Sequence, residues 1–235
     1  MIPNLKHRDP SLRELMDDPE CDLQLLENTY RQFGSINRLL AGWEKVYQRY
    51  ILPHCRPGQR YTLLDLGSGG GDLAVYIAGL SRKYGQDMQV YATDPDPRAY
   101  MYALKNHRGT DVIFLDDTLE KIASEEMEFD FVISNHLMHH LEEDELSTIM
   151  ETAAGICVNS VIFNDIRRSL VGYALFSTAI RPLFRNSFII PDGLTSIRRS
   201  FTKSELERVV PPGWEVKKMF PFRLLSVYQK YDDDY

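Results

Sequence analysis

The stretch Leu63-Leu64-Asp65-Leu66-Gly67-Ser68-Gly69-Gly70-Gly71-Asp72 constrains this chain more than any other. An apolar run ends in a glycine-rich turn, and apolar residues then recur at helical spacing through Leu73, Val75, Tyr76, Ile77, Ala78 and Leu80. That order is a strand, a tight loop and a helix start. Glycine has no Cβ and accepts φ > 0, so the backbone can approach a ligand closely. The first N–H groups of a helix have no intrahelical partner and favour hydrogen-bond acceptors.

The residue types narrow the ligand. The dinucleotide fingerprint G-x-G-x-x-G/A fails, because the sixth position from Gly67 is Asp72. A phosphate loop would need Gly-Lys-Ser/Thr, which this stretch lacks. A carboxylate at the helix mouth repels a pyrophosphate and tolerates a cationic ligand carrying an amino group. The bland alternative for the motif alone is a strand–helix turn with no ligand.

Bulk properties exclude other classes. A formal charge of −7 over 235 residues argues against general affinity for nucleic acid, which runs on Lys and Arg neutralising phosphates. Cys21, Cys55 and Cys157 are odd in number, widely spaced and form no C-x-x-C, so a disulfide framework is not expected and a cytoplasmic setting is. Charges run through residues 1–18, so no signal peptide is expected. No apolar run reaches the roughly 18 residues that stable membrane insertion requires. The oligomeric state is not legible.

Residues up to about 20 are polar, with Pro3, Pro10 and Pro19 as breakers, and read as an arm with at most one short helix. Helical spacing follows through Leu23, Leu26, Tyr30, Phe33, Ile36 and Leu40, then Trp43, Val46, Tyr47 and Ile51. Residues 1–58 therefore read as a helical N-terminal cap. From 59 onward, strands at 61–66, 88–93, 112–115, 129–134 and 158–164 alternate with helices at 72–84, 97–107, 118–123 and 142–155. This alternation implies an α/β, Rossmann-like, mostly parallel sheet with helices on both faces. Ligands then bind outside the carboxyl ends of the strands. Residues 165–200 break the rhythm as an insertion, and a helix at 201–210 follows. Strands at 214–220 and 223–228 close the sheet as an antiparallel pair, ahead of a frayed acidic tail at 231–235.

The D-x-G-x-G-x-G loop resembles the first motif of the class I S-adenosylmethionine-dependent methyltransferases. The run Phe129-Asp130-Phe131-Val132, followed by His139-His140-Leu141, resembles their small-molecule group, including the enzymes of ubiquinone and menaquinone biosynthesis. The resemblance covers about residues 30–230 and implies seven strands with an antiparallel last strand. It implies S-adenosyl-L-methionine as cofactor and a small aromatic or lipid-like acceptor. Its cofactor positions fall on Asp65, Gly67, Ser68, Gly69, Asp94, Pro95, Asp117, Thr118 and Asn135. Asp94 suits a ribose diol, being a carboxylate at a strand end about 20 residues past the loop. Asp96 reads as a helix N-cap with Pro97 at N1. Asp117 would meet the adenine amino group, or merely cap a helix.

Three residues are candidates for the reaction. His136 and His140 could share a helical face at i, i+4, and a His can take a proton from a phenol. Loss of His136 is then expected to lower turnover while cofactor affinity holds. A metal is not expected, because no third ligand is apparent in the sequence. Arg168 belongs to the insertion, where six arginines face two aspartates between apolar and aromatic residues. That mix suits an acceptor carrying an acidic oxygen; an ordinary helical hairpin with solvated arginines is the alternative. The spacing of Asn164, Asp165, Arg167 and Arg168, then Asp192, Gly193, Ser196, Arg198, Arg199, Phe201, Glu205 and Leu206, resembles a bacterial subgroup found alongside type III polyketide synthases. Asn37-Arg38-Leu39 and Pro221-Phe222-Arg223 fit the same subgroup. This resemblance implies O-methylation of a phenolic, pyrone or quinol-like acceptor. N- or C-methylation, and a non-catalytic cofactor binder, are the other readings.

Overall fold

A computed structural model describes residues 3–230; the expected acidic tail lies outside them. Two helices come first, α1 (Leu23–Leu40) and α2 (Trp43–Tyr50). The alternating region is β1 (Arg60–Leu66), α3 (Asp72–Lys83), β2 (Asp87–Thr93), α4 (Pro97–Asn106), β3 (Val112–Leu115), α5 (Leu119–Ser124), β4 (Phe129–Asn135), α6 (Glu143–Gly155) and β5 (Cys157–Ile166). Then come α7 (Leu170–Leu175), α8 (Ile189–Arg199), α9 (Lys203–Val209), β6 (Trp214–Met219) and β7 (Arg223–Gln229).

The strands form one seven-stranded sheet in the order β3-β2-β1-β4-β5-β7-β6. β1 to β5 pair in parallel, and β7 lies antiparallel between β5 and β6. Side chains alternate across the sheet with period two. Leu63, Phe131, Ile133 and Ile162 therefore pack on one face with α2 and α3, while Leu64, Val132, Val161 and Phe163 pack on the other with α6 and α9. Both faces are buried, which is why the strands read as apolar runs rather than as alternating patterns.

Register sets the height of the site. Leu66 pairs with Thr93 and with Ser134, and Asn135 pairs with Asn164. The glycine loop, Asp94, His136 and Asp165 thus leave the sheet at one end, where the strand order reverses between β1 and β4. β7 runs the other way and starts at that same end, with Arg223 opposite Ile166. This pairing also explains why β5 extends past its expected end at residue 164.

Helix ends follow local chemistry. Asp96 caps α4 by accepting from the Arg98 N–H, with Pro97 at the first position, as the sequence implied. Thr202 caps α9 in a reciprocal capping box with Glu205 and so lies outside the helix. The arm before α1 contains a single 3-10 turn, Leu15–Asp17. It lies fastened across the molecule. The Arg168 guanidinium donates to the carbonyls of Leu5 and Lys6, and Arg199 donates to that of Leu12. The Asp192 carboxylate accepts from the N–H groups of Leu15 and Met16 at 2.7 and 3.0 Å.

Candidate active site

A cavity of about 500 Å³ opens above the strand ends, a size typical of small-molecule sites. The glycine loop forms its floor. Gly71 caps α3 with φ +80°, and a Cβ there would lie 2.5 Å from the Phe114 ring, so only glycine fits.

Three of the acidic residues that line this cavity gather at its glycine-loop end: Asp65 at the end of β1, Asp72 at the first position of α3 and Asp94 just past β2. Asp94 is preorganised by the Gly69 N–H at 2.8 Å and the Asp96 N–H at 3.0 Å. Asp72 accepts from the Asn37 amide at 3.0 Å. The buried Oδ2 of Asp65 has no hydrogen-bond partner. Burial raises the pKa of all three, well above the ordinary carboxylate range for Asp65 and to about 6 for Asp72; the neighbouring Asp72 and Asp94 charges push Asp65 further. Among the described residues, none of the three has an ion-pair partner.

A chain of amides links this acidic end to β7. Asn135 donates to Asn37 at 2.9 Å, and Arg223 donates to Asn135 at 2.6 Å and to the Asn164 side chain at 2.8 Å. The other terminal nitrogen of Arg223 donates to His136 Nε2 at 3.0 Å. An arginine is a donor only, so this contact fixes His136 as the neutral Nδ1–H tautomer. Burial, then Arg223, holds its pKa well below the ordinary imidazole value. His136 also adopts φ +65°, a strained conformation for a residue with a Cβ. The expected helical face shared by His136 and His140 does not form. The left-handed residue breaks the helix, and a single 3-10 turn spans Met138–His140.

The far wall holds a second polar group. The buried His139 ring lies between Asp165, 2.8 Å from Nδ1, and Glu14, 3.2 Å from Nε2. Burial opposes its protonation, but the two carboxylates outweigh burial and push its pKa up to about 9. His140 sits beside it, with Nδ1 3.5 Å from Asp17 and Nε2 3.8 Å from Glu14. Ser196 donates to Glu14 at 2.6 Å. Arg199 clamps the turn from behind through the carbonyls of His139 and His140.

Of the positions singled out in the sequence, Asp65, Gly67, Ser68, Gly69, Asp94, Pro95, Asn135, His136 and His140 line the cavity. Asp117, Thr118 and Arg168 do not. The Asp117 carboxylate pairs with Lys121, and Thr118 caps α5 by accepting the Lys121 N–H. Arg168 is buried and bound to Glu205 and to carbonyls of the arm, because its chain position on β5's exit points it under the arm rather than into the cavity. The cationic wall expected from the insertion is likewise reduced. Arg199 is spent on carbonyls and Arg198 pairs with Asp9, so Arg167 is the insertion arginine that lines the cavity. The apolar part of that wall is present in Leu175, Phe176, Ile180 and Ile189. Sequence reasoning gave no role to Glu14, and it noted Asn37, Asp165 and Arg223 only through the subgroup spacing.

Residues 63–159 match the family described as "Methyltransferase domain". No curated protein sequence matches the chain. Several solved structures share its fold. The plantazolicin methyltransferase BpumL in complex with SAH is 14% identical with a TM-score of 0.59, over 89% of this chain and 95% of that one. Human N-acetylserotonin methyltransferase in complex with SAM is 14% identical with a TM-score of 0.60, over 86% of this chain and 54% of that one. Magnesium protoporphyrin IX methyltransferase from Synechocystis PCC 6803 with bound SAH is 16% identical with a TM-score of 0.53, over 86% of each chain. At these identities the likeness establishes the fold, a seven-stranded Rossmann-like methyltransferase sheet.

Proposed function

We propose that this methyltransferase domain transfers a methyl group from S-adenosyl-L-methionine to an oxygen of a small phenolic, pyrone or quinol-like acceptor. The observation that carries the cofactor assignment is the buried Asp65 Oδ2, which has no hydrogen-bond partner and faces the same cavity as Asp72 and Asp94. Three carboxylates with no ion-pair partner among the described residues favour a ligand that brings positive charge, and S-adenosyl-L-methionine carries an ammonium and a sulfonium. Asp65 and Asp72 suit the ammonium, and Asp94, aligned by two backbone N–H groups, suits the ribose diol. The solved structures that share the fold are methyltransferases in complex with SAM or SAH, which supports the same choice.

Bound there, the cofactor supplies an electrophilic methyl on sulfur. The protein's part is to align the acceptor oxygen with that methyl in a dry cavity, a contribution that can be large in itself. Phe33, Ile36, Phe176 and Ile180 line the apolar side against which a planar ring can lie. His136 enters with its Nε2 lone pair already engaged by Arg223, so it orients groups in this arrangement rather than taking a proton. Proton removal falls to His140 on the far wall, the ring that its neighbouring carboxylates approach no closer than 3.5 Å; His139, held protonated between Asp165 and Glu14, is not the base.

Calorimetric titration with S-adenosyl-L-methionine and, separately, with NAD tests the reading. Saturable binding of the former alone, lost in Asp94→Ala, supports it. Absence of binding by the folded protein refutes it. An acceptor panel of phenols, pyrones and quinols then separates an enzyme from a cofactor binder.

A further inference from the structure

The histidine pair has a geometry that methyl transfer does not require. Both imidazoles turn one nitrogen to a carboxylate: His139 Nδ1 to Asp165 at 2.8 Å and His140 Nδ1 to Asp17 at 3.5 Å. Both turn the other nitrogen to one atom, Glu14 Oε1, at 3.2 and 3.8 Å. Carboxylate–histidine pairs of this kind orient imidazoles that bind a metal: the Nδ1–H bond holds the ring, and the ion takes the Nε2 position by displacing the proton that His139 otherwise shares with Glu14. Two ligand atoms about 2.1 Å from a common ion, at angles of 90–110°, stand about 3.0–3.4 Å apart. The Glu14–His139 separation fits that span, and the Glu14–His140 separation needs only a few tenths of an ångström of closure.

We propose that Glu14, His139 and His140 form a binding site for a divalent first-row transition ion of the zinc type, with its open positions facing the acceptor end of the cavity. Two imidazoles and one carboxylate are the donor set of open zinc and related sites, which keep positions for water or substrate. All three residues line the cavity, so those positions face the space where an acceptor lies. The surroundings suit a cation: Glu14, Asp17 and Asp165 converge here, with Arg199 behind them donating to backbone carbonyls. The site is also held in place. Arg199 fixes the turn carrying both histidines, and Ser196 with Asp192 fixes the arm carrying Glu14. The third ligand comes from 125 residues upstream, which is why the sequence offered only a histidine pair.

The ion's use rests on the function proposed above. With the ion bound, His140 is a ligand rather than a base: an acceptor hydroxyl entering an open position would be bound as its oxygen anion, its proton leaving to solvent, and so be readied as the nucleophile. This favours acceptors whose hydroxyl is already acidic. Ion binding itself does not depend on methyl transfer.

The test uses the full-length, tag-free chain, stripped with chelator and titrated with Co²⁺ and Zn²⁺. The expected result is one equivalent bound, visible Co²⁺ bands displaced by Zn²⁺, and a Zn²⁺-dependent rise in melting temperature. His140→Ala should abolish the bands and weaken Zn²⁺ at least about 100-fold. It should melt near the parent in chelator, because the His140 ring is partly exposed, the backbone bonds at this position survive the substitution, and the ring's contacts with Asp17 and Glu14 are no closer than 3.5 Å. Asp17→Asn should weaken Zn²⁺ by about 10–100-fold, as loss of an orienting partner does. No Co²⁺ bands in the parent at millimolar ion, or Zn²⁺ binding unchanged in His140→Ala, overturns the site. Calorimetry with S-adenosyl-L-methionine on the same samples keeps the two proposals apart. Cofactor binding without ion binding sinks only the metal site, and ion binding without cofactor binding sinks only the methyltransferase reading.

Discussion

Asp72→Asn should stabilise the ligand-free protein while weakening its hold on S-adenosyl-L-methionine. Asp72 has a folded pKa of about 6, raised by burial, against about 3.9 for an unfolded aspartate. A folded pKa above the unfolded one means that folding takes up a proton between those values. Ionised Asp72 therefore opposes folding above pH 6, and this penalty fades as pH falls toward 4. Two units correspond to about 3 kcal/mol. The carboxylate faces an open cavity, and screening by water there trims this to about 1–2 kcal/mol. Asparagine keeps an acceptor for the Asn37 amide, so the hydrogen bond at this position survives. For a chain of this length, 1–2 kcal/mol raises the melting temperature by about 2–8 °C. Thermal melts from pH 4.5 to 8 should show the variant above the parent at pH 8, with the two curves converging at the acid end. Saturating cofactor should raise the parent's midpoint and move the variant's much less. A variant less stable than the parent at pH 8, or one with undiminished cofactor affinity, would refute the argument that this carboxylate awaits a cation.

Cofactor affinity in the parent should weaken below about pH 6, up to tenfold per pH unit, as protonation of Asp72 competes with the ammonium; a dissociation constant flat from pH 5 to 8 contradicts this. Arg168→Ala should lower stability by about 2–4 kcal/mol, because Glu205 and three carbonyls lose their donor, yet leave cofactor affinity unchanged below the melting transition. A selective loss of turnover in a stable Arg168→Ala protein would instead return that residue to the reaction. Gly71→Ala combines φ +80° with a Cβ 2.5 Å from Phe114, and denaturant unfolding should show a loss of about 2–4 kcal/mol. Arg223→Met should uncouple Asn135, Asn164 and His136 and, by freeing His136 Nε2, raise that ring's pKa, which NMR titration reads directly. An unchanged His136 titration in a folded variant would show that Arg223 does not set its charge state.

The local chemistry of the chain determined the frame. Apolar strand runs, the glycine loop and the Asp96–Pro97 cap are written in short segments, because β-propensity, φ > 0 and capping act over a few residues. Those same segments place Asp65, Gly69, Asp94 and Asn135 at the carboxyl end of a parallel sheet, where register does the rest. The destinations of long polar side chains were not legible. Arg168 stands amid apolar and aromatic residues in the sequence, and only the return of the N-terminal arm beneath it turns it from a candidate acceptor contact into a structural anchor. His136 and His140 have helical spacing, but helix formation was overridden at a strained left-handed turn. Glu14 reaches His139 across 125 residues, and Arg223 reaches His136 across 87. Such contacts depend on loop closure and packing of the whole chain rather than on local pattern. The sequence by itself thus determined that there is a ligand site above this sheet, and the tertiary structure alone decided which charges meet inside it.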